Sequence, residues 1–137
     1  MKIKIFGLIS IIFSTGAFAC NGDGEFKPFI KVSLEPNVSC NDLYVYIPSK
    51  LNTLELSAVT YTLDAKGEVS IPSMYVDASD LGDFTAKGYS LSQLCAPKAN
   101  LDKIKVTVSY QPPIGPNGEL TFCLSNKEFM LSELSDL

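Results

Sequence analysis

The chain has 137 residues, is 46% hydrophobic and contains no histidine, arginine or tryptophan. The lack of histidine excludes serine–histidine–aspartate catalysis and histidine metal sites, and the lack of arginine excludes a bidentate clamp for phosphate. Eleven lysines against 15 acidic residues give a formal net charge of −4. This acidic balance argues against nucleic acid or an anionic membrane as a partner.

The first 19 residues have the features of a secretory signal peptide. A basic head of Lys2 and Lys4 precedes an apolar run over 5–16, and alanines occupy the two positions that a signal peptidase reads. The run is shorter than the roughly 20 residues that span a bilayer, and no later segment is long enough. We therefore expect cleavage near Ala19 and a secreted or periplasmic protein of residues 20–137, without a transmembrane segment.

Cysteine usage offers two interpretations of the new N-terminus. Bacterial lipoproteins carry a lipidated cysteine at the position of Cys20, but Phe18 stands where such signals favour a small residue. Lipidation would also leave an odd set of three cysteines, whereas four cysteines in an exported domain indicate two disulfides. Simple secretion is therefore favoured over lipidation. Of the three possible pairings we predict Cys20–Cys40, which would hold the N-terminus, and Cys95–Cys123.

Alternating apolar and polar residues predict a series of short strands along the chain. The apolar phase changes partway through Leu54–Leu63, which predicts a β-bulge or a crossing between layers. Pro72 places the following strand at the edge of a sheet. The predicted strands are 29–35, 43–47, 54–63, 68–76, 84–89, 104–110, 119–124 and 127–131, with a single helical turn at 90–94.

The clearest hairpin lies at Lys103–Leu124. Its first arm alternates without a fault from Ile104 to Tyr110, and its second arm repeats the pattern at Leu120, Phe122 and Leu124. The link between the arms contains the pair Asn-Gly, which tolerates positive φ and closes β-turns. We expect a sheet with one apolar face here, and Cys123 on the opposite face.

Two features give a candidate binding surface. Tyr44 and Tyr46 alternate with apolar residues, so their strand is apolar on both sides. Such a strand either packs between two layers, which is the simpler interpretation, or presents its tyrosines to a partner. Asp77, Asp80 and Asp83 follow at three-residue spacing in an irregular segment, where a solvated turn or a helix cap is commoner than a Ca²⁺ site. We predict no metal site.

The strand pattern, the turn residues and the near absence of helical periodicity predict the fold class. We expect one all-β domain over residues 20–137, an antiparallel β-sandwich of immunoglobulin-like size that disulfides stabilise. The core tryptophan of true immunoglobulin domains is missing. Each disulfide would contribute roughly 2–4 kcal/mol to stability.

The first functional hypothesis is an exported, non-catalytic protein that binds another protein. An inhibitor or immunity protein, an adhesin-type subunit and an accessory factor are its concrete forms. After cleavage nine lysines face 15 acidic residues, a net charge of −6, which favours a basic partner. The candidate contact residues are the two tyrosines and three aspartates above.

The second hypothesis is a carrier for a lipid or another small apolar ligand. The segment Ile104–Cys123, with its alternating strand, its turn and its Gly-Glu-Leu-Thr-Phe-Cys run, resembles the C-terminal hairpin of ML domains, the MD-2-related lipid-recognition family. The resemblance implies a secreted β-sandwich with lipid between its sheets. The apolar faces of strands 43–47, 54–63 and 104–110 would then line a cavity.

The third hypothesis is an enzyme. Its chemistry would need paired carboxylates or a lysine or cysteine nucleophile. No spacing of acidic residues selects such a pair, and the four cysteines are assigned to disulfides. We therefore predict neither catalytic residues nor a cofactor.

Overall fold

The computed structural model describes residues 22, 24–32, 41–63, 69–96 and 98–134. The predicted signal peptide, Cys20 and Cys40 lie outside these residues. The described strands are β1 (Phe29–Val32), β2 (Asn41–Pro48), β3 (Lys50–Leu51), β4 (Leu54–Leu63), β5 (Val69–Ser73), β6 (Tyr75–Asp77), β7 (Tyr89–Ala96), β8 (Ile104–Gln111) and β9 (Ser125–Met130). Four short 3₁₀ helices cover Ala78–Leu81, Phe84–Ala86, Lys98–Lys103 and Leu131–Leu134. No helix in the described part of the chain is long and apolar enough to cross a membrane.

Two antiparallel sheets pack face to face, which confirms the predicted all-β sandwich. The first sheet has the strand order β1-β2-β7-β6, and the second has the order β3-β4-β8-β9 with β5 also paired to β4. The chain passes from the second sheet to the first at Met74, the single residue between β5 and β6.

The inner faces of the two sheets form one apolar core. The alternation in β8 buries Val106, Val108 and Tyr110 completely, opposite Val45 of β2. The phenol of Tyr110 donates a hydrogen bond of 2.7 Å to the carbonyl oxygen of Pro48 in the other sheet. This bond satisfies a polar group that would otherwise be costly to bury.

A buried polar bridge also joins the sheets. The hydroxyl of Ser92 on β7 accepts a 3.0 Å hydrogen bond from the phenol of Tyr61 on β4 and lies 2.6 Å from the hydroxyl of Ser73 on β5. Burial raises the pKa of Tyr61 to about 12. The phenol therefore stays protonated at any physiological pH and serves as a fixed donor.

Residues N-terminal to β1 complete one end of the core. The ring of Phe26 lies 6.3 Å from that of Tyr110, edge to face, and 5.8 Å from that of Phe129 on β9. A Cβ at Gly24 would lie 2.7 Å from the side chain of Leu51, so only glycine fits this approach without displacing a buried residue. Gly24 and Phe26 are thus part of the packed fold.

Several sequence predictions are confirmed in detail. β4 covers the predicted range, and its register with β8 shifts between Leu56 and Ala58, where the apolar phase changes. β5, which contains Pro72, pairs with β4 and with no other described strand, so it lies at an edge as predicted. The predicted strand 68–76 is in fact two strands in two different sheets.

The predicted hairpin is half wrong. β8 forms as expected, but it pairs with β9, where Tyr110 lies opposite Ser125 and Lys105 opposite Met130. Residues 119–124 form no strand. The prolines that follow Gln111 lack the N–H groups that a ladder needs, and the N–H of Gly115 bonds to the carbonyl oxygen of Glu119, which closes the link into a loop of its own.

The predictions for residues 84–94 are also wrong. Residues 90–94, expected as a helical turn, belong to β7, a central strand of the first sheet. Residues 84–86, expected in a strand, form a 3₁₀ helix. The misassignment of β7 has a physical cause, because its buried inward positions include Ser90 and Ser92 rather than apolar residues.

The predicted bond between Cys95 and Cys123 is wrong. Cys95 lies beside Ile104, where β8 begins, and Cys123 lies beside Gln111, where β8 ends. At about 3.3 Å per residue these positions are far beyond the roughly 7 Å between Cα atoms that a disulfide tolerates. Each of the two cysteines is nonetheless disulfide-bonded.

Candidate functional site

The predicted surface centres on Tyr46, which points away from the core on the outer face of the first sheet. The ring of Phe29 stacks on it with 4.5 Å between the ring centroids, and Ala78 and Ala86 of the 3₁₀ helices cover it. Tyr46 is therefore only 5% exposed. It offers little contact area to a partner.

Asp83 receives hydrogen bonds from three sides. Its carboxylate accepts bonds from the ammonium of Lys31 at 3.0 Å, the phenol of Tyr46 at 2.9 Å and the hydroxyl of Thr85 at 2.5 Å. These donors hold the pKa of Asp83 well below its usual range, with the bond from Thr85 the largest cause. The ammonium of Lys31 also lies 4.7 Å from the centroid of the Tyr46 ring, a cation–π distance.

The other predicted residues have separate positions. Asp77 accepts hydrogen bonds from the N–H and the hydroxyl of Ser79 and so caps the first 3₁₀ helix, one of the structural roles considered for it. Asp80 is exposed on that helix, and Tyr44 is half-buried on β2. The structure thus brings Tyr46 and Asp83 into direct contact. Their polar groups are already hydrogen-bonded to side chains of the same protein.

A different surface lies in the connection between β8 and β9. We name residues 112–124 the apolar loop. Phe122 is 93% exposed, and Leu120, Leu124 and Ile114 are also largely exposed. Monomeric soluble proteins seldom leave several large apolar side chains exposed close together, so this cluster is a candidate interaction surface.

The apolar loop is anchored at both of its ends and within itself. The N–H of Gly118 bonds to the carbonyl oxygen of Gly115, and Gly118 has a φ of +77°, which favours glycine. Cys123 adds a covalent anchor through its disulfide. The exposed side chains are therefore presented on a restrained segment.

An open groove accompanies these side chains. It has a volume of about 480 Å³ and is lined by Gln111, Pro112 and residues 120–124. Its volume lies within the range of sites for small ligands and is also adequate for side chains of a protein partner.

Sequence reasoning found this apolar row but assigned it to the sheet. The alternation of Leu120, Phe122 and Leu124 predicts the apolar face of a strand, whereas the row faces solvent. The feature of the sequence that indicates a loop is the proline-rich link before the row, which separates the row from β8. Among the residues that the structure describes, no three acidic or cysteine side chains converge as metal ligands would.

Comparison with known proteins identifies no relatives. No protein-family model matches the chain, and no curated protein and no solved structure is significantly similar to it.

Proposed function

We propose that the chain is an exported, non-catalytic protein that binds a partner protein through the apolar loop. The observation that carries this proposal is the nearly complete exposure of Phe122, flanked by Leu120 and Leu124. Aromatic side chains in this position act as anchors, because they bury a large area when a partner covers them. The inhibitor, adhesin-type and accessory roles all use such a surface.

The restraint of the loop supports the proposal further. Ordering a flexible loop on binding costs about 0.5–1.5 kcal/mol for each immobilised side chain. The disulfide at Cys123 and the bond between Gly115 and Glu119 reduce this cost before the partner arrives. The arrangement offers contact area rather than reacting groups.

Charge favours the apolar loop over the predicted acidic surface. Within 112–124 the only charged residue is Glu119, so a partner can cover the loop without burying several charges. Asp83 already has a cation beside it in Lys31. The remaining acidic residues, Asp80 among them, would act by steering a basic partner at long range.

Photo-crosslinking in the producing cell tests the proposal. A photoreactive phenylalanine analogue replaces Phe122 in one variant and the exposed Lys103, at the opposite end of β8, in the control. We expect position 122 to give a discrete protein adduct that position 103 does not give. If both positions give the same adducts, or neither gives any, the proposed surface is wrong.

A small apolar ligand in the groove is the second candidate. The groove volume of about 480 Å³ favours it. The ML resemblance implies a ligand between the two sheets. In the structure, however, the inner faces of β2, β4 and β8 pack into one core cluster. Native mass spectrometry distinguishes the candidates, since a carrier retains an extra mass that organic extraction removes.

A further inference from the structure

A gap in the first sheet lies where the chain changes sheets. Within the described part of the chain β6 pairs with Ser90–Ser92 of β7 and with nothing else, and the chain enters β6 directly from β5 of the other sheet. Among the described residues, no strand pairs with Gln93–Ala96 of β7 on that side. The described residues therefore leave this edge of β7 open to an added strand.

The floor of the gap is apolar. Val69 and Ile71 of β5 lie opposite Leu63 and Tyr61 of β4, and directly opposed residues of paired strands point to the same face. Both thus face the interior layer, yet they are 58% and 52% exposed, because no described strand of the first sheet covers them.

A recess in this floor has the size of an anchor residue. It has a volume of about 140 Å³, room for one large apolar side chain. Its wall includes inward side chains of both sheets, namely Tyr61, Leu63, Ile71, Leu94, Ala96 and Ile104. An added strand beside β7 would point alternate side chains into it.

We infer that this gap receives the segment Glu119–Leu124 of a second copy of the chain, with Phe122 in the recess. The inference rests on the proposed function, because it gives the apolar loop a specific partner. The segment has the alternation that a strand at this edge requires, and it presents that row to solvent. Strand addition of this kind combines backbone hydrogen bonds with pockets for alternate side chains.

The areas of the two surfaces match. The donor side exposes the row of Leu120, Phe122 and Leu124, and the acceptor side exposes Val69, Ile71 and Met74. Each set exposes apolar surface on the order of 500 Å². A standard interface covers about 800 Å² on each partner, of which somewhat more than half is apolar.

Charge explains why a second copy is compatible with these surfaces. The whole chain is acidic, so most of its surface repels another copy. The acceptor segment 69–76 contains no charged residue, and the donor segment has Glu119 alone. Two copies can therefore meet here without opposing like charges.

The geometry predicts a head-to-tail assembly. The donor precedes β9 at one side of the second sheet, and the acceptor lies at the β5 side, with β4 and β8 between them. Because the two surfaces differ, each contact leaves one donor and one acceptor free. Such contacts generate open chains or closed rings rather than a two-fold dimer.

Sedimentation velocity of the protein with its disulfides intact, from low to high micromolar concentrations, tests the inference. We expect the wild type to form species larger than a dimer. Phe122→Ser, which removes the donor anchor, and Ile71→Glu, which places a charge in the acceptor, should each weaken the association about thirtyfold. Ile114→Ser, in the same loop but outside the alternating row, is the matched control and should retain most of it.

A mixture of the two variants gives the sharpest result. Phe122→Ser retains an intact acceptor, and Ile71→Glu retains an intact donor, so an equal mixture should form a one-to-one dimer and nothing larger. This result also shows that both variants are folded.

A monomeric wild type, or a mixture that stays monomeric, overturns the inference. So does assembly that only Phe122→Ser abolishes, since this indicates a symmetric contact between loops. The proposed function would survive these outcomes if the photoreactive group at position 122 still attaches to a different protein. It would fail with the inference if that position gives no specific adduct.

Discussion

Two apolar rows with the same sequence pattern have opposite environments in this molecule. In β8 the row from Ile104 to Tyr110 is buried between the sheets, whereas Leu120, Phe122 and Leu124 in the apolar loop face solvent. The first row has paired strands on both sides and a second sheet above it. Alternation shows only that one face of a segment is apolar, and the pairing of that segment decides whether the face is buried.

The buried row contributes to the stability of the fold, whereas the exposed row provides area for binding. Burial of the first row lowers the free energy of the folded state, because apolar area leaves water. The second row gains no such burial within one copy of the chain, so its contribution to stability should be small. Its apolar area remains available for an interface.

The largest expected effect concerns the buried row. Tyr110→Ala removes a completely buried ring and should lower the free energy of unfolding by about 3–5 kcal/mol. Tyr110→Phe, the control, keeps the ring and loses only the bond to the Pro48 carbonyl, at about 1 kcal/mol. Urea denaturation measures both. Equal losses for the two variants would show that packing of the ring is not what stabilises this row.

The disulfide of Cys123 should contribute both to stability and to the position of the exposed row. Cys123→Ser is expected to lower the free energy of unfolding by roughly 2–4 kcal/mol, since it lengthens the unrestrained unfolded chain. It should also weaken binding, because the loop is then ordered only on contact. Unchanged binding would mean that the covalent anchor does not preorganise the loop.

The register of the sheet predicts which cysteines are paired. Asn41 lies opposite Ala96 in the pairing of β2 with β7. Cys40 immediately precedes Asn41, so we expect it to bond to Cys95.

The second pair follows from a close approach at the N-terminus. A Cβ at Gly22 would collide with the side chain of Ser125, so the two backbones lie together. Cys20 and Cys123 each precede these residues by two positions, and we expect them to be bonded. Mass spectrometry of unreduced proteolytic peptides checks both pairs, and a peptide that joins Cys20 to Cys40 would contradict them.

Substitutions in the polar bridge between Tyr61 and Ser92 test how strongly this bond holds the two sheets together. Ser92→Ala leaves the buried phenol of Tyr61 without its acceptor and should cost about 1–2 kcal/mol. Adding Tyr61→Phe removes the unpaired group, so the double variant should be more stable than Ser92→Ala alone. Thermal or urea denaturation measures the cycle, and strict additivity of the two substitutions would show that the bond does not couple them.

The smallest effect is a pH dependence at Asp83. Its pKa is lowered in the folded protein, so its contribution is complete above the unfolded value of about 3.9 and is lost as the pH falls below that value. Asp83→Asn should therefore lower the melting temperature slightly at pH 7, and the difference from the wild type should shrink as the pH falls through 4. A difference that grows on acidification would contradict the account.

The fold was predictable where apolar residues mark the inward face. β4 with its bulge and β8 follow from alternation, and Pro72 identifies an edge. β7 escaped prediction because the core is partly polar there, with Ser92 fully buried and bonded to Tyr61. No local pattern distinguishes such an inward serine from one on a solvated turn.

The candidate site was harder to predict, since it depends on long-range pairing. Tyr46 and Asp83 are 37 positions apart, and their hydrogen bond turns two predicted contact residues into a covered cluster. The partner of β8 had to be chosen between 119–124 and 125–130. Residues 119–124 are the more apolar segment, but they do not pair with β8. The loop closes on itself, and Phe26 and Phe129 complete that part of the core instead.

The most direct test measures stability and association on one variant, Phe122→Ser. We expect its free energy of unfolding to stay within about 0.5 kcal/mol of the wild type, as for an exposed substitution, while self-association weakens about thirtyfold. A variant that loses several times that stability and associates like the wild type would contradict it. Phe122 would then belong to the fold rather than to a binding surface.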